Sequence, residues 1–122
     1  MQTETIIYHN PKCGTSRKVL GMLRDAGITP TVIEYLRTPP SRQELASLLQ
    51  RMGKTPRDLL RRKETLFDEL GLGDPTKSDD SLMDALQDNP ILMERPIVVT
   101  PRGVSLCRPA EEVLALIDQE PA

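Results

Sequence analysis

The stretch HNPKCGTSR, His9 to Arg17, gathers residue types that do chemistry on anions. Cys13 stands there among proline, glycine, hydroxyl and basic residues, a setting in which buried, inert thiols are seldom found. If a helix starts just after it, the unpaired N–H groups and partial positive charge of that helix end favour the thiolate over the thiol. The same groups, at Gly14, Thr15 and Ser16, form a cradle that binds an oxyanion substrate, and Gly14 lets the anion come close to the backbone. A site of this kind both binds an oxyanion and attacks it. Ser16 occupies the place of a resolving cysteine in a C-x-x-C motif, so the second thiol of a redox cycle must come from elsewhere. His9, protonated or as a hydrogen-bond donor, is expected to lower the thiol pKa further.

The elements that position these residues follow from local pattern. Thr5–Tyr8 reads as a short strand running into the turn signal Asn10-Pro11. Val19, Leu20, Met22, Leu23 and Ala26 share one helical face, and Gly27 supplies a C′ position, which predicts a helix from about Thr15 to Ala26. Thr31–Tyr35 is a second strand, giving a βαβ unit with parallel strands. Ser41 and Glu44 form a capping box before Leu45, Leu48, Leu49 and Met52. Thr55 and Pro56 open a short helix expected to carry Leu59, Leu60, Arg61 and Arg62. Further helical pieces hold Leu66, Phe67, Leu70, Leu82, Met83 and Leu86. Arg95–Thr100 and Val104–Cys107 form a hairpin around Pro101-Arg-Gly103, and Pro109 opens a last helix on Val113, Leu114, Leu116 and Ile117. The order βαβ, helices, ββα is that of a thioredoxin-like α/β fold with a mixed central sheet. It predicts a single domain over 1–122 with a helical insertion at about 41–90.

The 122 residues, 38% hydrophobic and 28% charged, suit one soluble globular domain, and no apolar run approaches a membrane span of about 20 residues. No secretory signal is visible, so a cytoplasmic location and no membrane partner are expected. A net charge of −2 gives no reason to expect nucleic acid. Six basic residues crowd Arg51–Lys63, and nine acidic ones follow between Glu64 and Glu94. Solvated faces account for most of these charges, with one or two arginines left as site candidates. Cys13 and Cys107 are too few for a disulfide framework. Cys107, at the end of a strand, is expected in the core.

Taken together, His9–Arg17, Tyr35–Pro40, Leu59–Arg61, Arg95–Val99 and Leu106–Pro109 resemble the glutaredoxin-dependent arsenate reductases of the ArsC type. The resemblance implies a cysteine, here Cys13, that attacks arsenate to form a thiolate–arsenic(V) adduct. Glutathione and then glutaredoxin supply electrons, and arsenite is released. It places the family's three oxyanion-binding arginines at Arg61, Arg95 and Arg108, its active-site histidine at His9, and its cis-proline at Pro96. No bound cofactor or metal is implied; glutathione is a co-substrate. The chain stops without the longer tail of some members, and no motif residue is lost by that.

Electrostatics independently calls for such arginines. Arsenate carries one to two negative charges, a thiolate brings another, and guanidinium groups fork onto tetrahedral oxyanions without losing their charge. Arg61, flanked by Arg62 and Lys63, also fits a solvated face. Two other readings share this fold. Spx-type regulators bind RNA polymerase and usually carry C-x-x-C, where this chain has C-x-x-S. A glutathione-dependent thiol reductase acting on another substrate would keep the cysteine loop.

Overall fold

The structure, a computed structural model, describes residues 4–117. The chain forms two compact units, one drawn from the segments up to Thr38 and from Arg95 onward, the other Pro39–Glu94.

In the first unit, β1 (Ile6–His9), β2 (Thr31–Glu34), β3 (Ile97–Thr100) and β4 (Gly103–Leu106) form one sheet in the order β2-β1-β3-β4. β1 and β2 run parallel, joined through α1 (Gly14–Asp25), while β1–β3 and β3–β4 are antiparallel. This is the mixed α/β sheet expected from the sequence. Ile7 and Val98 are paired across β1 and β3, and both join a core with Val19, Leu20 and Leu23 of α1 and with Cys107, Ala110, Val113, Leu116 and Ile117. Each such aliphatic side chain contributes about 1.5–3 kcal/mol when fully buried. Ala26, expected on the buried face of α1, is exposed, because the helix has already ended. The Gly27 N–H donates to the Arg24 carbonyl and that of Ile28 to the Leu23 carbonyl, a Schellman ending in which Gly27 takes φ +81°.

The final segment differs from expectation. Ala110–Ala115 is a 3-10 helix, not an α-helix. The reason lies in spacing: buried Ala110, Val113 and Leu116 recur every third residue, and a helix of three residues per turn stacks them on one side. Two proline bonds are cis, Arg95–Pro96, as the resemblance implied, and Arg108–Pro109.

The second unit holds α2 (Arg42–Met52), α3 (Pro56–Leu59), α4 (Thr65–Glu69) and α5 (Asp79–Asp88). Ser41 and Glu44 make the expected capping box on α2, and Thr55 makes a second one with Asp58 on α3. Arg42 ties α2 to α5 through Asp80 and Asp84, at 3.0 and 2.7 Å. The expectation that α3 carries Leu60, Arg61 and Arg62 is corrected, since the helix ends at Leu59. Leu60 forms an antiparallel bridge with Met93, the Glu94 N–H donates to the Leu59 carbonyl and that of Arg61 to the Leu92 carbonyl. Those bonds, to residues more than thirty positions away, hold Leu60 in extended conformation.

Candidate active site

The sheet topology brings the site together. The C-terminal end of β1, the N-terminal end of β3 and the C-terminal end of β4 lie side by side, as the pairings Tyr8–Ile97 and Ile97–Leu106 show. The chain leaving β1 carries Cys13, the chain entering β3 carries Arg95, and the chain leaving β4 carries Arg108. Three segments distant in sequence thus meet at one end of the sheet.

Cys13 is the N-cap of α1, in extended conformation, and is half-buried. Its N–H donates to the Asn10 carbonyl and its carbonyl accepts from the Arg17 N–H, both at 3.0 Å, so backbone bonds on either side fix the thiol. No acidic residue stands in the first turn of α1 to compete with an anion there. Gly14 is exposed and Thr15 half-buried, both in that turn. Beyond its chain neighbours, a side chain on Gly14 would meet the Arg17 guanidinium, its Nη2 3.8 Å away, at ordinary van der Waals distance, so the approach over Gly14 is open.

Arg108 Nη1 lies 3.7 Å from the Cys13 sulfur and also donates to the Arg95 carbonyl at 2.8 Å, which holds the guanidinium in place. Arg95 is buried. Burial, the largest single influence on the Cys13 thiol, pushes its pKa up, but the Ser16 backbone N–H, Arg108 and Arg95 together outweigh it and set the thiol below its ordinary value. Cys107 is the opposite case. Fully buried in the core, its thiol is pushed up to about 12 by burial, and it has no thiolate to offer near neutrality.

The side chains of His9 and Ser16 are tied to each other. The His9 Nδ1 lies 2.6 Å from the Ser16 hydroxyl, which also accepts the Asn10 N–H at 3.0 Å. One proton lies along the His9–Ser16 contact, given by the hydroxyl or by the ring according to the tautomer. Burial lowers the His9 pKa, opposed by Glu34 and reinforced by Arg24 and Arg17, a direction that favours the neutral ring. Of the two expected forms of His9, the hydrogen-bonding ring is the one its burial favours: the ring is paired with the Ser16 hydroxyl, and the thiolate is favoured by the Ser16 N–H together with Arg108 and Arg95. Ser16 is itself fully buried, its hydroxyl occupied by His9 and Asn10. An anion would have only its backbone to meet.

Sequence reasoning missed Asn10, read only as a turn residue. It is buried, its side-chain carbonyl accepts the Lys12 N–H at 2.9 Å, and its amide donates to the Tyr35 hydroxyl at 3.4 Å. The Asn-Pro pair was the available signal, since asparagine side chains cap the backbone two residues on. Arg61 belongs to the helical unit, where its guanidinium pairs with Glu94 at 2.8 Å and Glu64 at 3.4 Å. Arg62 and Lys63 are exposed. Among the described residues no group of three or more histidine, cysteine or carboxylate side chains is placed to hold a metal, and no helix is long and apolar enough to cross a membrane.

The chain matches the ArsC family over residues 8–116. It is 57% identical over 111 residues to an arsenate reductase of Rhizobium meliloti (strain 1021), an alignment that spans 91% of this chain and 79% of that protein. An arsenate reductase of Escherichia coli is 55% identical over the same shares of the two chains. Among solved structures, the arsenate reductase from Vibrio cholerae superposes with a TM-score of 0.89 at 46% identity, covering 95% of this chain and 99% of that one. A match that opens in β1, runs through both units and closes on the buried Leu116 makes the chain a member of the ArsC family.

Proposed function

We propose that the chain is a cytoplasmic arsenate reductase acting in arsenic detoxification, a single domain in which Cys13 is the nucleophile and glutathione and glutaredoxin are the reductants. The observation that carries this reading is the Cys13 thiol, held below its ordinary pKa at the start of α1 with an Arg108 nitrogen 3.7 Å from its sulfur. The named activity of relatives at more than half identity supports it.

The thiolate attacks arsenic, a sulfur–arsenic bond forms, and an arsenate oxygen leaves as water after taking up protons. Backbone N–H groups of Gly14, Thr15 and Ser16, with Arg95 and Arg108, neutralise the oxyanion during that approach. Arg61 is the third arginine of the proposal, on the resemblance of Leu59–Arg61 to the family motif. Reduction to arsenic(III) needs two electrons, hence a second thiol. Ser16 stands at the resolving position and Cys107 is buried with its thiol near 12, so that thiol comes from solution. Glutathione supplies it: an S–S bond forms between its sulfur and that of Cys13, the electron pair passes to arsenic, and arsenite leaves. A glutaredoxin thiol then removes glutathione from Cys13. The missing second cysteine also argues against a dithiol switch of the Spx type.

The test is arsenate-dependent NADPH oxidation with glutathione, glutaredoxin and glutathione reductase present. Turnover that is lost in Cys13→Ser supports the reading. Reductase activity indifferent to arsenate would assign the chain to thiol chemistry on another substrate.

A further inference from the structure

Arg17 is an exposed cation tied to the backbone by one hydrogen bond. Its Nη1 donates to the Pro11 carbonyl at 2.9 Å, which anchors the guanidinium to the loop that carries Cys13. Beyond the neighbours of Gly14 in the chain, its Nη2 is the side-chain atom nearest the open space over Gly14, 3.8 Å from where a Cβ would stand. Among the described residues no carboxylate pairs with it, in contrast to Lys18 one position on, which pairs with Glu111 at 2.9 Å. The arginines of the unit that carries Cys13 are therefore graded by exposure near the thiol: Arg95 is buried, Arg108 half-buried against the sulfur, and Arg17 open to solvent. The inner two are placed for the anion that Cys13 attacks. The outer one faces whatever arrives next.

We propose that Arg17 is a specificity residue for the thiol co-substrate, binding a carboxylate of the incoming thiol beside the Cys13 loop. This rests on the reading of the chain as an arsenate reductase that uses glutathione, a thiol with two carboxylates. A guanidinium already held by Nη1 loses less freedom on binding a carboxylate through Nη2 than a mobile surface arginine does.

The experiment compares glutathione with its diethyl ester, which keeps the thiol and lacks both carboxylates. Enzyme preincubated with saturating arsenate is mixed with either thiol, and arsenite release in a single turnover is followed against thiol concentration. For the unmodified chain the half-saturating concentration should be higher with the ester by up to about fivefold, the upper end of what an exposed charge pair contributes. Arg17→Gln should raise the glutathione value to that of the ester and leave the ester value unchanged, while Arg17→Lys should restore part of the difference. The arsenate KM and the pH midpoint of Cys13 alkylation should not move, which separates this role from a merely structural one. Equal discrimination in the unmodified chain and Arg17→Gln overturns the proposal, as does a raised arsenate KM. Failure of the unmodified chain to release any arsenite overturns the arsenate reductase reading and this proposal with it, a result distinct from turnover without discrimination.

Discussion

Replacing Arg108 by alanine removes the cation 3.7 Å from the Cys13 sulfur. At that separation, opposite unit charges attract by about 1 kcal/mol in water and about 4 kcal/mol at the effective dielectric near a protein surface. The half-buried sulfur sits between those limits, and a charge-assisted hydrogen bond is worth about 1.5–3 kcal/mol. Arg108→Ala should therefore lower kcat/KM for arsenate by roughly 10- to 150-fold, and the midpoint of Cys13 alkylation should move to higher pH. The substitution also takes a donor from the Arg95 carbonyl, a loss of about 1 kcal/mol of stability, which urea unfolding at fixed pH would register separately. Arg108→Lys should recover part of the rate, because a point charge replaces a planar fork. Steady-state kinetics and iodoacetamide labelling against pH are the assays. A variant with kcat/KM within twofold of the parent and an unmoved alkylation midpoint would refute the assignment of Arg108 to the thiolate.

Ser16→Ala leaves the His9 ring and the Asn10 N–H buried without the hydroxyl they share, and should cost about 1–3 kcal/mol in urea unfolding. His9 has a folded-state pKa below its ordinary 6.5, so the unfolded chain binds more protons; its stabilising contribution is full above about pH 6.5 and is lost as pH falls through the lowered value. The stability advantage of the parent over His9→Asn should accordingly shrink between pH 7.5 and pH 5, measured by Tm. Cys107→Ala should keep full arsenate reductase turnover, and the native Cys107 thiol should resist iodoacetamide at pH 8; loss of turnover would bring Cys107 back into the chemistry. Arg61→Ala should lower kcat/KM well beyond the exposed Arg62→Ala, and equal activity of the two would confine Arg61 to its ion pairs with Glu64 and Glu94.

What was legible in the sequence was local. Gly27 ends α1 and Ser41 with Glu44 opens α2 because those signals act within one helical turn, and they were read within a residue of where the structure places them. The place of Cys13 just before α1 was legible for the same reason, as a cysteine before a helix start needs no distant partner to be recognised. Long-range pairing was not. Leu60 leaves the helical pattern because Met93 and its neighbours hold it extended, and nothing in Leu59–Arg62 announces that. Ser16 lies in polar sequence yet is fully buried, since the ring that covers it comes from the end of β1 seven residues earlier. The form of His9, protonated or hydrogen-bonding, stays open in the sequence for the same reason: the burial that lowers its pKa is a property of the packed sheet. The last helix was misjudged in type because a three-residue apolar repeat fits part of an α-helical face as well as a 3-10 one.

The central claim is that Cys13 is a stabilised thiolate within an oxyanion site. Its most direct measurement is the rate of iodoacetamide alkylation of Cys13 against pH in the native chain, with and without arsenate, with mass spectrometry to assign the modified residue. The account predicts a midpoint below the free-thiol value of about 8.5 and slower labelling when arsenate is bound. A midpoint at or above that value, with labelling indifferent to arsenate, would contradict it.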